Sequence, residues 1–182
     1  MKKHTIKDVY NYWNSNPAGA CSIEVKRSIG TKEFFEEYNN IRETDIEIFS
    51  TEIWEFDKHK GEKVLDIGCG YGWLVKNFAK GDADITGVDI APNSVELTKK
   101  WLDFLGLKAE VKVCNAEELS FPDNTFDFVT SSGVLHHTVD TQKAIDEVYR
   151  VLKQGGRSVI SLYYKNILLR DSFFPITLFV IV

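Results

Sequence analysis

The sequence predicts an α/β protein, a doubly wound and mainly parallel sheet preceded by a helical cap. Three observations carry this. From residue 63 onward short apolar runs alternate with amphipathic stretches of helical period, which is the pattern of βαβ units. Glycines follow the helical stretches, and the first apolar run passes directly into a glycine-rich turn, VLDIGCGYG at 64–72.

The elements follow in chain order. Thr5 with Asp8 reads as a capping box, and Ile6, Val9 and Trp13 recur at helical spacing behind it, so a short amphipathic helix opens the chain. Asn, Ser, Pro and Gly at 14–19 break it. A second helical pattern starts after Gly30 and Thr31 and carries Phe34, Phe35, Tyr38, Ile41 and Ile48. Residues 1–60 are thus expected to form a helical cap or lid, and residues 61–182 the α/β domain. Strands are expected at 63–67, 84–88, 110–114, 126–131 and 157–163, with helices at about 73–80, 93–105 and 140–153. Gly81, Gly106 and the pair Gly155–Gly156 are read as left-handed helix stops, and Pro122, Asp123 and Asn124 as a turn.

Composition narrows the function. The 182 residues are 43% apolar and 13% aromatic, enough for one sizeable core. A net charge of −5 without a basic stripe argues against a nucleic-acid binder. Two lysines near the start have no apolar stretch behind them, so no secretory signal is read and a cytoplasmic protein is expected. Cys21, Cys69 and Cys114 are widely spaced and are expected to be reduced thiols. With His4, His59, His136 and His137 they form no metal-ligand spacing, so no metal is expected.

The chemistry concentrates at the glycine turn. Asp66, Gly68, Cys69, Gly70 and Gly72 stand where a strand ends and a helix begins, and glycine is required there for a sharp turn and for close approach of a ligand to the backbone. The helix start adds free N–H groups. The pattern is DxGxGxG, not the GxGxxG of dinucleotide sites. A carboxylate ahead of the glycines would repel a pyrophosphate and suits a ligand bearing an ammonium group, which points to an amino-acid nucleoside. Asp89 ends the next expected strand, where a carboxylate can accept both hydroxyls of a ribose.

These segments, VLDIGCGYG, ITGVDIAPNSVELTKK, NAEELSFPDNTFDFVTSSGVLHH and RVLKQGGRSVISL, occur in an order and spacing that resembles the class I, Rossmann-like S-adenosylmethionine-dependent methyltransferases, especially those acting on small molecules and lipids. The resemblance covers 64–162. It implies S-adenosylmethionine as cofactor, with Asp66 and the 68–72 loop on the methionine part, Asp89 on the ribose and Ile90 against the adenine face. It further implies that Asn115, Ala116 and Glu117 read the adenine edge and that Ser131 lies near the methionine. The family usually has aspartate where this chain has Asn115.

His136 belongs to the family's common VLHH pattern and is read either as a general base or, with His137, as a loop anchor. Trp73 and Trp101 are read as packing residues. Tyr10, Tyr12 and Trp13 are read either as part of a lid over the cofactor or as one face of a packed helix. The family completes its sheet with two further strands, for which residues 164–182 are too short, so the last strands are expected to be missing or incomplete. A truncated fragment, or a short form that pairs through an exposed sheet edge as a homodimer, would explain this. The function expected is methyl transfer to a small-molecule or lipid-like acceptor. Two alternatives stay open: a non-catalytic cofactor-binding module of the same fold, and a nicotinamide oxidoreductase.

Overall fold

Strand β1, Lys63–Ile67, shows how the sheet is covered on both faces. Four of its five side chains are buried. Val64 points into an aromatic-rich cluster with Trp73, Phe78, Trp101 and Phe128, whereas its neighbours Leu65 and Ile67 join Val129, Leu135, Val148 and Ile160 on the opposite face. A strand that alternates between two cores belongs at the centre of a doubly wound sheet.

The computed structural model describes residues 5–16, 27–46, 51–164 and 176–181. Behind β1 come α4 (Trp73–Lys80), β2 (Asp84–Asp89), α5 (Pro92–Leu105), β3 (Glu110–Val113), β4 (Phe126–Ser132), α6 (Thr141–Val151) and β5 (Leu152–Tyr164). Ahead of β1 lie α1 (Ile6–Ser15), α2 (Lys32–Ile41), a π-helical turn at Arg42–Ile46, and α3 (Thr51–Trp54). The sheet order is β3-β2-β1-β4-β5-β6, in which β1 to β5 run parallel. The strand order reverses between β1 and β4, the place where such sheets open a crevice for ligands.

The aromatic residues of α2 are absorbed by the core. Phe35 stacks on Trp101 of α5 with ring centroids 5.3 Å apart, and Phe34 and Tyr38 meet Tyr71 edge-on at 5.2 and 5.1 Å. Beneath them Lys76 of α4 is almost fully buried and donates to Asn39 and Glu43, with its ammonium 5.4 Å from the Trp101 ring. Burial lowers its proton affinity, and Glu43 works against that. Helix α1 differs: it has the expected Thr5–Asp8 capping box but no buried residue. Ile48 and Cys21 lie outside the described residues, as do residues 17–19 of the expected break at 14–19.

Several boundaries differ from the sequence reading. Helix α6 ends at Val151, not at 153, because Leu152 turns extended and β5 begins at once. Gly155 and Gly156 therefore do not stop a helix. They sit in an irregularity of β5 in which Phe126 pairs with Leu152 but Phe128 pairs with Arg157. Gly81 ends α4 at φ −80°, so its role is not left-handed backbone; a Cβ there would collide with the Phe56 carbonyl. Gly106, at φ +64°, is the left-handed stop expected. A sixth strand, β6 (Ile176–Ile181), pairs antiparallel with β5, so the end of the chain supplies one of the two strands that were expected to be missing or incomplete.

The turn before β4 depends on Arg150. Its guanidinium donates to the carbonyls of Leu119 and Phe121 at 2.9 and 2.7 Å and pairs with Glu147 and Asp123. Arg150→Ala strips two carbonyls of their donor and should cost about 2 kcal/mol, read as a lower urea midpoint at unchanged slope.

Candidate cofactor site

The glycine turn is held from below and behind. Gly68 and Cys69 both donate their amides to the Val88 carbonyl at 2.7 and 2.9 Å, and Gly72 closes the turn on the Cys69 carbonyl at 2.7 Å. Thr98 of α5 supports it by donating to the Gly70 carbonyl at 2.9 Å. Gly68, Gly70 and Gly72 all have positive φ. At Gly68 and Gly72 a Cβ would run into the side chains of Val134 and Thr98 respectively. Gly72 caps α4 without any side-chain bond, so the first amides of that helix stay available to a ligand.

Two carboxylates flank this turn. Asp66, 1% exposed, accepts a 3.1 Å bond from Thr130, its in-register neighbour on β4. Burial pushes its carboxyl up to about 7, reinforced by the charge of Asp89 and opposed by Thr130 and by the positive charge of Arg42. Asp89, at the end of β2, accepts the Gly70 amide on one oxygen and the Ala91 amide on the other, at 2.9 and 2.8 Å. Burial raises its proton affinity and these amides restrain the rise. Each oxygen keeps a lone pair for a hydroxyl donor.

Next to Asp89 a cavity of about 390 Å³ is lined by Ile90, Val113, Cys114 and Asn115 on the sheet side and by Ile6, Lys7 and Tyr10 of α1 on the other. Asn115 accepts the Glu117 amide at 3.0 Å. Glu117 directs its carboxylate away, to the amides of Val139 and Asp140 at 2.7 and 3.2 Å. Ala116 is buried. Ser131 is fully buried and donates to the Ile67 carbonyl at 3.0 Å, which makes it part of the floor under the turn. Cys69 is buried too, and burial pushes its thiol well above the ordinary range, so it stays neutral.

His136 and His137 form a short 3₁₀ turn behind β4 (Leu135–His137), with their rings 4.0 Å apart. Burial, then the neighbouring imidazole, lowers His136 to about 4. His137 meets Trp13 of α1 at 5.0 Å, and Asn93 holds α1 by donating to Asn14 at 3.2 and 2.7 Å. Trp73 and Trp101 are buried, as expected of packing residues.

Asp66, the glycine turn, Asp89, Ile90 and Asn115 thus converge on the carboxyl ends of β1 to β3. Ser131 and the Glu117 carboxylate lie under or beside that surface. Four residues were not picked out by the sequence reading: Thr130, Thr98, Val134 and Arg42. Thr130 is adjacent to Ser131 and could have been found by pairing the strand ends. Arg42 gives no such signal, because a π-helical turn brings its charge towards Asp66 and places its guanidinium 5.1 Å from the Trp73 ring centre. Glu117→Ala should leave the fold intact but raise hydrogen exchange of the Val139 and Asp140 amides at least tenfold, measured by NMR.

No helix among the described residues is long and apolar enough to cross a membrane. Residues 65–160 match the family model described as "Methyltransferase domain". The chain is 39% identical over 106 residues to the ubiquinone/menaquinone biosynthesis C-methyltransferase UbiE of Psychromonas ingrahamii, covering 56% of this chain and 42% of that protein. It is 32% identical over 114 residues to phosphoethanolamine N-methyltransferase 3 of Arabidopsis thaliana, covering 60% of this chain and 23% of that one. The matched stretch therefore spans less than half the length of these curated relatives. Among solved structures, an S-adenosylmethionine-dependent methyltransferase from Aquifex aeolicus superposes with a TM-score of 0.62, at 26% identity over 77% of this chain and 76% of that one. With a matched model over more than half its residues, and the parallel sheet, glycine turn and paired carboxylates in place, the chain belongs to the methyltransferase-domain family.

Proposed function

We propose that this chain binds S-adenosylmethionine across the carboxyl ends of β1 to β3 and transfers its methyl group to a small-molecule acceptor. The observation that carries this reading is the pair Asp66 and Asp89 on either side of a turn that a Cβ at Gly68 or Gly72 would fill. When bound, the cofactor supplies a sulfonium methyl that an acceptor takes by in-line displacement.

The residues fit such a ligand. Asp66 is a buried carboxylate awaiting a cation, and an ammonium group beside it would restore its ionised form. Arg42 is the positive charge at hand for the carboxylate of the same amino acid. Asp89 would take the ribose hydroxyls, and the cavity between Ile90, Asn115 and α1 would take the base, with the Ala116 and Glu117 backbone at its edge. Ser131 supports the turn from beneath. In this reading residues 1–60 act as a lid, with α1 forming the outer wall of the base cavity.

The protein's own contribution to rate is alignment of two partners and exclusion of water. Proton removal by His136 is disfavoured, since an imidazole lowered to about 4 is a weak base at neutral pH. A role for the pair in shaping the acceptor side, through the contact of His137 with Trp13, fits better. The relatives are named for methylation at carbon and at nitrogen. They support a small acceptor, lipid-like or not, without choosing its atom. The aromatic residues of α2 lend no support to a lipid, because Phe34, Phe35 and Tyr38 are spent in the core. A cytoplasmic setting and association of two copies through a sheet edge belong to the same proposal, the latter supported by the open edge that β3 leaves at one end of the sheet.

Incubation with methyl-labelled cofactor and a metabolite extract should give a labelled small product. Binding of S-adenosylhomocysteine without any product would favour the non-catalytic module. Binding of NADH in its place would favour the oxidoreductase.

A further inference from the structure

A buried ammonium group that the cofactor contacts leave unused ties the cap to the helix behind the glycine turn. Lys76 of α4 is 2% exposed and donates to Asn39 and, at 3.3 Å, to Glu43. These acceptors stand four residues apart, one near the end of α2 and one in the π-helical turn, and both reach the same cation. Stability does not call for a charge in this place. Lys76 sits against the rings of Trp73 and Trp101, 5.9 and 5.4 Å from their centres, where an apolar side chain of similar length would serve as well.

What the tie fixes is position. Arg42 precedes Glu43 in the π-helical turn, and its guanidinium lies 5.1 Å from the centre of the Trp73 ring. Trp73 and Lys76 are one turn apart on α4, so two adjacent residues of the cap meet two residues on one face of that helix. Trp73 follows Gly72, the last glycine of the turn. The Arg42 charge is thereby held at a set place relative to the turn, and its effect reaches Asp66.

We propose that Lys76 is a positioning residue: through Asn39 and Glu43 it holds the π-helical turn so that Arg42 meets the carboxylate at the amino-acid end of the cofactor. This rests on the cofactor reading given above, and it deepens that reading at one end of the ligand alone.

The test is calorimetric titration with S-adenosylhomocysteine and with decarboxylated S-adenosylhomocysteine, which keeps the ammonium group and lacks the carboxylate. The wild type should prefer the first compound about tenfold or more. Lys76→Met and Glu43→Ala should each reduce that preference about fivefold, with the affinity for the decarboxylated compound unchanged. The pair of variants separates position from charge. One removes a cation and the other an anion, so a field effect alone would move the preference in opposite directions. Glu43 is half-exposed, and its variant decides alone should Lys76→Met not fold. Arg42→Met should abolish the preference, and adding Lys76→Met to it should change nothing further. Opposite effects of the two variants, an equal loss for both compounds, or a preference that Glu43→Ala leaves intact overturns the inference. So does a wild type that binds the two compounds equally, and each of these results leaves the cofactor reading standing. Failure of both compounds to bind the wild type overturns the two together.

Discussion

Asp66→Asn should abolish binding of S-adenosylhomocysteine, by at least a hundredfold, while raising the melting temperature of the free chain at pH 8. The two effects share one cause. In the folded chain the Asp66 carboxyl titrates near 7 instead of 3.8, chiefly because it is buried. Its folded form holds the proton more tightly than its unfolded form, so folding is opposed by ionisation as pH rises. The penalty is absent below about pH 4, grows between 4 and 7, and is constant above, where it amounts to about 4 kcal/mol. An amide carries no such penalty. The gain of Asp66→Asn should therefore appear at pH 8 and vanish at pH 4, as seen by differential scanning calorimetry. Ligand affinity should run the other way: an ammonium beside Asp66 needs the ionised form, so wild-type affinity should weaken about tenfold for each pH unit below 7. A wild-type affinity that is flat between pH 5 and 8 would remove Asp66 from the ligand's amino group.

Gly68→Ala should cost about 3 kcal/mol of stability and eliminate binding. The residue has φ +79°, where a side chain is strained, and its Cβ would meet the Val134 side chain. Gly106 supplies the control. It has φ +64° but open space around it, so Gly106→Ala should cost only about 1 kcal/mol and leave ligand affinity alone. Adding Val134→Ala to Gly68→Ala should recover part of the loss, since it removes the two methyls at 2.3 and 2.5 Å but leaves the residue 134 Cβ at 2.8 Å and the backbone strain. Equal destabilisation by the two glycine substitutions in urea titrations would count against the collision.

The parts of this fold legible in the sequence are those in which backbone geometry demands a residue type. The 64–72 turn needs glycines at positive φ, and α4 and the strand β1 emerged with the expected limits for that reason. The junction of α6 and β5 was not legible, because a glycine pair serves a strand irregularity as readily as a helix stop. Arg42 was hidden by the π-helical turn that redirects it, and the direction of the Glu117 carboxylate by its contact with Val139 and Asp140 more than twenty residues on. Such contacts follow from how the loops close over one another, which periodicity does not record.

Helix α1 has no buried side chain and is held to the rest by Asn93 and by the Trp13–His137 ring contact. A tether of this kind is worth about 1–3 kcal/mol, so the segment should detach in a small fraction of molecules at any instant without disturbing the sheet. Since α1 supplies Ile6, Lys7 and Tyr10 to one wall of the base cavity, traffic through that wall is governed by a local equilibrium. The residence time of a bound nucleoside is then a property of the contacts that two asparagines and a tryptophan make on α1.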